Sequence, residues 1–254
     1  MMRHLVFQLA VGVSFLMSAA NAEEMIKLET RPGVTVDILY QKAENPAAHL
    51  ILFEGGPGVF RDLKYPLFLV GTRKVFGGRG FSVAAVNPPS DRNGDMRGGG
   101  KFRESSDHLQ DIEAVIKWLK KKTDKPVWLI GVSLGTQSVA WIGSATKEPL
   151  GGLVFAASKT RGRGTSIIDM ELDEIKVPTL LVHHEDDKCF GTPPSGTKSI
   201  LKGLENSPKA EIKLFEGGQV DGKSPCGPGS HHIFNGMQDE VANYISEFIK
   251  TNTK

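Results

Sequence analysis

Apolar and polar positions along the 254-residue chain change period several times. Met25 to Glu29 and Thr35 to Tyr40 are short runs rich in β-formers that flank the turn residues Arg31-Pro32-Gly33. His49 to Phe53 is a third run, mostly apolar, and it stops at Glu54-Gly55-Gly56-Pro57-Gly58. The opening therefore reads as antiparallel. From there strands and helices alternate. Phe81 to Val86 predicts a strand and Asp107 to Lys121 a helix, in which Leu109, Ile112, Val115, Ile116 and Leu119 recur at threes and fours and Ser106 can cap the start. Val127 to Ile130 reads as a strand, Ser133 to Ile142 as a helix, and Leu153 to Ala157 and Thr179 to Val182 as further strands. Ile200 to Leu204 is a weaker helix and Glu211 to Phe215 a strand. Met237 to Ile249 closes the chain as a helix with Val241, Tyr244, Ile245 and Phe248 on one face. Strands alternating with helices imply an α/β protein with a mostly parallel sheet covered on both faces. No linker separates two such series, so residues 23–254 read as a single domain.

The first 22 residues do not share this pattern. Arg3 and His4 precede thirteen mostly apolar residues, Leu5 to Met17, and Ala20 and Ala22 form an A-x-A cleavage pattern before Glu23. Residues 1–22 therefore read as a signal peptide. The apolar stretch is shorter than the roughly 20 helical residues that cross a bilayer, and no later segment is long enough either. An exported protein, periplasmic or secreted, with no membrane span after cleavage is expected.

Composition then narrows the partners. Lys and Arg number 31 against 29 Asp and Glu, a net charge of +2, and 24% charged with 39% hydrophobic residues is ordinary for a globular protein. A nucleic-acid binder would concentrate its basic residues on one face; here only Lys120, Lys121 and Lys122 form a run. In an oxidising compartment the only two cysteines, Cys189 and Cys226, are expected to form one disulfide.

The chemistry centres on Gly131-Val132-Ser133-Leu134-Gly135, which matches G-x-S-x-G. In that motif a strand runs directly into a helix through a tight turn, with serine at the apex and small residues at its flanks. The apolar run before it and the helical pattern after it supply the required context. Together with the antiparallel opening, the glycine-rich loop after the third strand and a late Asp and His, the chain resembles the α/β-hydrolase fold superfamily over nearly its whole length after residue 22. The resemblance implies a triad in the order Ser, acid, His. Val182-His183-His184-Glu185-Asp186-Asp187 resembles the family's acid loop and aligns Asp187 with the acid, with Asp186 its neighbour and alternative. Ser230-His231-His232-Ile233-Phe234-Asn235-Gly236 resembles the histidine loop and favours His232 over His231. These residue types belong together because a serine hydroxyl is a poor nucleophile until an imidazole takes its proton, and a carboxylate must hold that imidazole in the right tautomer.

Glu54 to Gly58 resembles the family's H-G-G-x-G loop, with Glu54 in place of His. The resemblance implies an oxyanion hole made by the backbone N–H groups of Gly56 and Leu134, since Pro57 has none. A charged Glu54 turned towards a developing oxyanion is unfavourable, so its side chain is expected to face away or to pair with Arg61 or Arg92. Cys189 and Cys226 lie close in sequence to Asp187 and His232, so a bridge would tie the acid loop to the base loop.

Ser158 to Val177 is too short for a cap domain, which predicts an open site. The expected activity is hydrolysis of a small carboxylic ester, or a similar acyl substrate, through an acyl-enzyme on Ser133 without metal or organic cofactor. A peptidase of the same fold, a metal site drawing on His183, His184, Glu185, Asp186, Cys189, Cys226, His231 and His232, and a non-catalytic binding protein are the alternatives. Asp91 and Arg92, after the fourth strand, are candidates for orienting substrate or for pairing within their loop, and Asn93 to Lys101 is a long glycine-rich loop.

Overall fold

The computed structural model describes residues 22–60, 67–97 and 101–253. Apart from Ala22, the expected leader lies outside the described residues. Eight strands form one sheet: β1 (Glu23–Arg31), β2 (Val34–Gln41), β3 (His49–Phe53), β4 (Ser82–Val86), β5 (Val127–Val132), β6 (Gly152–Ala156), β7 (Thr179–His184) and β8 (Ala210–Phe215). Their spatial order is β1-β2-β4-β3-β5-β6-β7-β8. β1 and β2 form an antiparallel hairpin, closed at Gly33 with φ 73°, and β2 pairs antiparallel with β4. All later pairings are parallel. The antiparallel opening and the mostly parallel remainder are as the apolar pattern predicts.

Five helices cover the sheet: α1 (Phe68–Gly78), α2 (Ser106–Lys122), α3 (Gly135–Ala145), α4 (Gly196–Gly203) and α5 (Gln238–Asn252). Alternation within each strand feeds two separate cores. Leu50, Leu52, Trp128, Ile130 and Val154 pack with α1 and α5, whereas Ile51, Phe53, Leu129, Leu153 and Phe155 pack with α2, α3 and α4. Burial on both faces is why the central strands read as continuous apolar runs. Truncating one such side chain, Ile51 or Leu129 for example, to alanine costs about 2–5 kcal/mol, since the cavity left behind collapses only in part. The edge strands differ: β1 carries Glu23, Glu24, Lys27 and Glu29, and β8 carries Glu211 and Lys213, charges that oppose edge-to-edge association.

Three boundaries depart from the sequence expectation. The cap of α2 is Ser105, whose hydroxyl accepts the His108 N–H at 3.1 Å, rather than Ser106, which is the first helical residue. α3 begins at Gly135, because Ser133 holds φ 55° and cannot be helical. α1 is not visible in the pattern: its sequence FLVGTRKVFGG holds three glycines, and no side chain of its own caps its start.

No helix among the described residues is long and apolar enough to cross a membrane. Between β6 and β7 the chain makes two 3-10 turns, Ile167–Asp169 and Leu172–Glu174. Because β5, β7 and β8 are parallel, the loops after them gather at one edge of the sheet, where ligands bind in open α/β folds.

Candidate active site

Ser133 stands between β5 and α3 in the left-handed region, with φ 55°, a conformation that is strained for a residue with a Cβ. Neighbouring hydrogen bonds hold it there. Its N–H donates to the Ala156 carbonyl at 3.0 Å, and its own carbonyl accepts from the Thr136 N–H at 3.0 Å and the Thr136 hydroxyl at 2.6 Å. The flanking glycines are required by space. A Cβ at Gly135 would lie 2.1 Å from the Phe53 carbonyl oxygen, and one at Gly131 would lie 2.5 Å from that of Gly135. The loop after β3 passes directly over this turn, for a Cβ at Gly55 would lie 2.9 Å from the Ser133 Cβ. Gly56 and Leu134 are both half-buried on the two sides of the turn. Among the described residues neither N–H donates to a backbone carbonyl, which leaves both available to an incoming oxygen.

Three residues beyond β7, Asp187 is 5% exposed and accepts four contacts. Oδ1 takes the Cys189 N–H at 2.8 Å. Oδ2 lies 2.9 Å from His232 Nδ1, 3.0 Å from the Thr192 hydroxyl and 3.2 Å from His183 Nε2. Burial by itself would push the Asp187 carboxyl up. The hydrogen bonds from His183 and His232, the attraction of His232 and the Cys189 N–H outweigh it and hold the group well below the usual carboxylate range. His232 lies in a 3-10 turn, His231–Ile233, beyond β8. With Nδ1 donating to Asp187, its Nε2 carries the lone pair.

The neighbours left open by the sequence are placed elsewhere. Asp186 is exposed and lies 3.4 Å from Lys188 Nζ, and the His231 ring stacks on that of His184 at 3.9 Å. His184 is fully engaged, its Nδ1 accepting the Asp186 N–H at 3.0 Å and its Nε2 lying 2.9 Å from the Gly217 carbonyl. Cys189 and Cys226 form a disulfide with Cα atoms 4.7 Å apart, so the loops that carry Asp187 and His232 are covalently joined. The eight residues considered as a metal set therefore divide: both thiols are oxidised, His183 and His232 contact Asp187, and Glu185 joins neither close group of ligand atoms found among the described residues. Only His184, Asp186 and His231 still offer ligand atoms within 4.8 Å of one another, and both ring nitrogens of His184 already have partners.

Arg61 lies outside the described residues. Of the two arrangements expected for Glu54, facing away or pairing with a base, the first describes its side chain, which turns to α1. Its Oε1 accepts the Val70 N–H at 2.7 Å in the first turn of α1, so a residue from β3's end caps a helix that lacks its own cap. Burial pushes this carboxyl up to about 7, against the backbone N–H groups of Val70, Gly55 and Leu69 and the charge of Arg103. Arg103 is the base in this region. It is 3% exposed and donates to Ser138 Oγ at 2.9 Å and to the carbonyls of Glu54 and Gly56 at 3.3 and 3.2 Å, joining the glycine loop to α3. Asp91 is a structural partner, lying 3.0 Å from Arg31, which also grips the buried Asp111 at 2.8 Å; the Arg92 guanidinium lies 4.6 Å above the Phe102 ring. Thr192 and Arg103 carried no signal in the sequence, and His183 stood out there only as a candidate metal ligand, since its contact with Asp187 is created by tertiary structure.

No protein-family model and no curated protein sequence matches the chain. Solved structures do. An esterase of Pyrococcus furiosus superposes with a TM-score of 0.68 at 14% identity, covering 96% of each chain. A dienelactone hydrolase of Anabaena variabilis gives 0.70 at 13% identity, covering 92% of this chain and 100% of its own. A monoacylglycerol lipase of Paleococcus ferrophilus gives 0.56 at 17% identity, covering 85% of this chain and 99% of its own. Sheet order, the turn at Ser133 and superposition agree, and the chain has the α/β-hydrolase fold.

Proposed function

We propose that the protein is a serine hydrolase of carboxylic esters, with Ser133 as nucleophile, His232 as base and Asp187 as the acid that orients it. The observation that carries this reading is the buried contact of 2.9 Å between His232 Nδ1 and Asp187 Oδ2, at the sheet edge where the Ser133 turn emerges. The esterases and hydrolases among the structural neighbours support the same class of reaction.

In this reading Ser133 Oγ attacks the ester carbonyl as His232 Nε2 takes its proton. The N–H groups of Gly56 and Leu134 receive the oxyanion, and loss of either donor costs about 3 kcal/mol of transition-state stabilisation. Collapse of the tetrahedral intermediate expels the alcohol, which leaves with the proton from His232. Water, deprotonated by the same nitrogen, then attacks the acyl carbonyl, and the acid leaves as His232 returns the proton to Ser133 Oγ. Asp187, ionised at neutral pH, stabilises the imidazolium in both steps. All the groups needed belong to the chain, so neither metal nor organic cofactor is required. The Cys189–Cys226 bridge supports export, as oxidising compartments favour disulfides.

Hydrolysis of short p-nitrophenyl esters tests this directly. Ser133→Ala and His232→Ala should each lower kcat by about 10⁴–10⁶ with the fold intact, as for other triads. Turnover that survives Ser133→Ala contradicts the reading.

A further inference from the structure

A pocket of about 430 Å³ lies beside the nucleophile turn, within the range of about 300–1,000 Å³ typical of small-molecule sites. Leu134 and Gln137, at the start of α3, form one wall. Leu134 follows Ser133 directly, so a substrate whose carbonyl is held at this turn has the pocket as its neighbour. The remaining surface carries Arg97, Lys101, Arg103 and Arg163.

Among the described residues three carboxylates act on these four cations, Glu54 on Arg103 being one. Arg97 forks onto Asp95 with contacts of 2.7 and 3.1 Å, and Glu104 lies 3.9 Å from Lys101 Nζ. The excess positive charge rests chiefly on Arg163, which stands on the exposed turn after β6 between Gly162 and Gly164, while Arg103 lines the pocket from within the fold. Arg103 gives its hydrogens to neutral oxygens, and its buried Nε has no hydrogen-bond partner among the described residues. A buried cation is costly, and an anion in the pocket would lie beside this guanidinium and offset part of that cost through its charge. A guanidinium recognises a planar oxyanion better than an ammonium does, because its donors are fixed in a fork. The chain as a whole is nearly neutral, so this preference is local to the site.

We propose that this pocket is a subsite for an anionic substituent, so that the favoured ester carries a carboxylate or similar small oxyanion in the part lying against Leu134. The reaction at that ester rests on the serine-hydrolase reading; the binding rests on charge and space alone.

Calorimetry on Ser133→Ala protein, which binds without turnover, tests the subsite with monomethyl glutarate and dimethyl glutarate. The anionic monoester should bind at least about tenfold more tightly than the neutral diester, as one charged hydrogen-bonded contact provides. Adding Arg163→Glu should bring that ratio to near unity, whereas adding Lys250→Glu, an equal charge change on α5, should leave it in place. Equal affinities, no binding of the monoester, or the same loss with Lys250→Glu overturns the subsite. Fluorophosphonate labelling of Ser133 in the unaltered enzyme decides the reaction separately: labelling without the charge preference overturns only the subsite, and the preference without labelling overturns only the nucleophile.

Discussion

His183 Nε2 lies 3.2 Å from Asp187 Oδ2, the same oxygen that lies 2.9 Å from His232 Nδ1. Two imidazoles, one from the end of β7 and one from the 3-10 turn beyond β8, thus converge on one buried carboxylate oxygen. His183 Nε2 also lies 2.9 Å from the Thr192 carbonyl, which fixes the segment whose hydroxyl completes the group.

In the proposed mechanism His183 is therefore a positioning residue for Asp187. His183→Leu should lower kcat about tenfold with KM nearly unchanged, the loss expected when one hydrogen bond to a charged group is removed. His183→Gln, which retains a donor, should recover most of the loss. If both variants lose stability but hydrolyse esters with the original kcat, His183 serves packing only.

The disulfide joins the loops that carry Asp187 and His232 across 37 residues of sequence. Closing a loop of that length stabilises by about 4 kcal/mol on the chain-entropy view. Cys226→Ala should lower the melting temperature and the ester-hydrolysis rate together, and reductant should do the same to the unaltered protein. Melting that is identical with and without reductant contradicts this.

Glu54 gives stability an unusual pH dependence. Its carboxyl is raised to about 7 in the fold, whereas in the unfolded chain it titrates at about 4.3. Between these values the folded state binds the extra proton. The contribution of Glu54 is most favourable below the lower value and is lost as pH rises through the upper one. His108, held neutral and lowered to about 3 by burial and then by the charges of Arg103 and Arg31, acts in the opposite direction at acid pH. Comparison with a variant isolates Glu54. Glu54→Gln should gain stability relative to the unaltered protein between pH 5 and pH 8, by up to about 3 kcal/mol, measured as denaturant midpoints. A difference that does not change with pH shows that Glu54 is ionised throughout.

The elements that the sequence reveals are those whose environment is symmetric along the strand or helix. The apolar runs at β3, β5, β6 and β7 are legible because both faces are buried, and α2 because one face is. The turn at Ser133 is legible because its glycines meet backbone that no side chain could replace. α1 is hidden, since its start is satisfied by Glu54 from another element and its glycines weaken the helical signal. The resemblance favours Asp187 but leaves Asp186 open, and the fold separates them, one carboxylate turning inward to His232 and the other outward to Lys188. Thr192 and Arg103 are invisible for the same reason: a hydroxyl and a guanidinium acquire their roles from what the fold places within 3 Å or so of them.

Covalent capture of the nucleophile decides the proposed reaction. Treatment with a fluorophosphonate, followed by peptide mass spectrometry, should place one phosphonyl adduct on Ser133, with none in Ser133→Ala and markedly slower labelling in His232→Ala. A folded protein that hydrolyses esters while Ser133 remains unmodified would contradict the proposed mechanism.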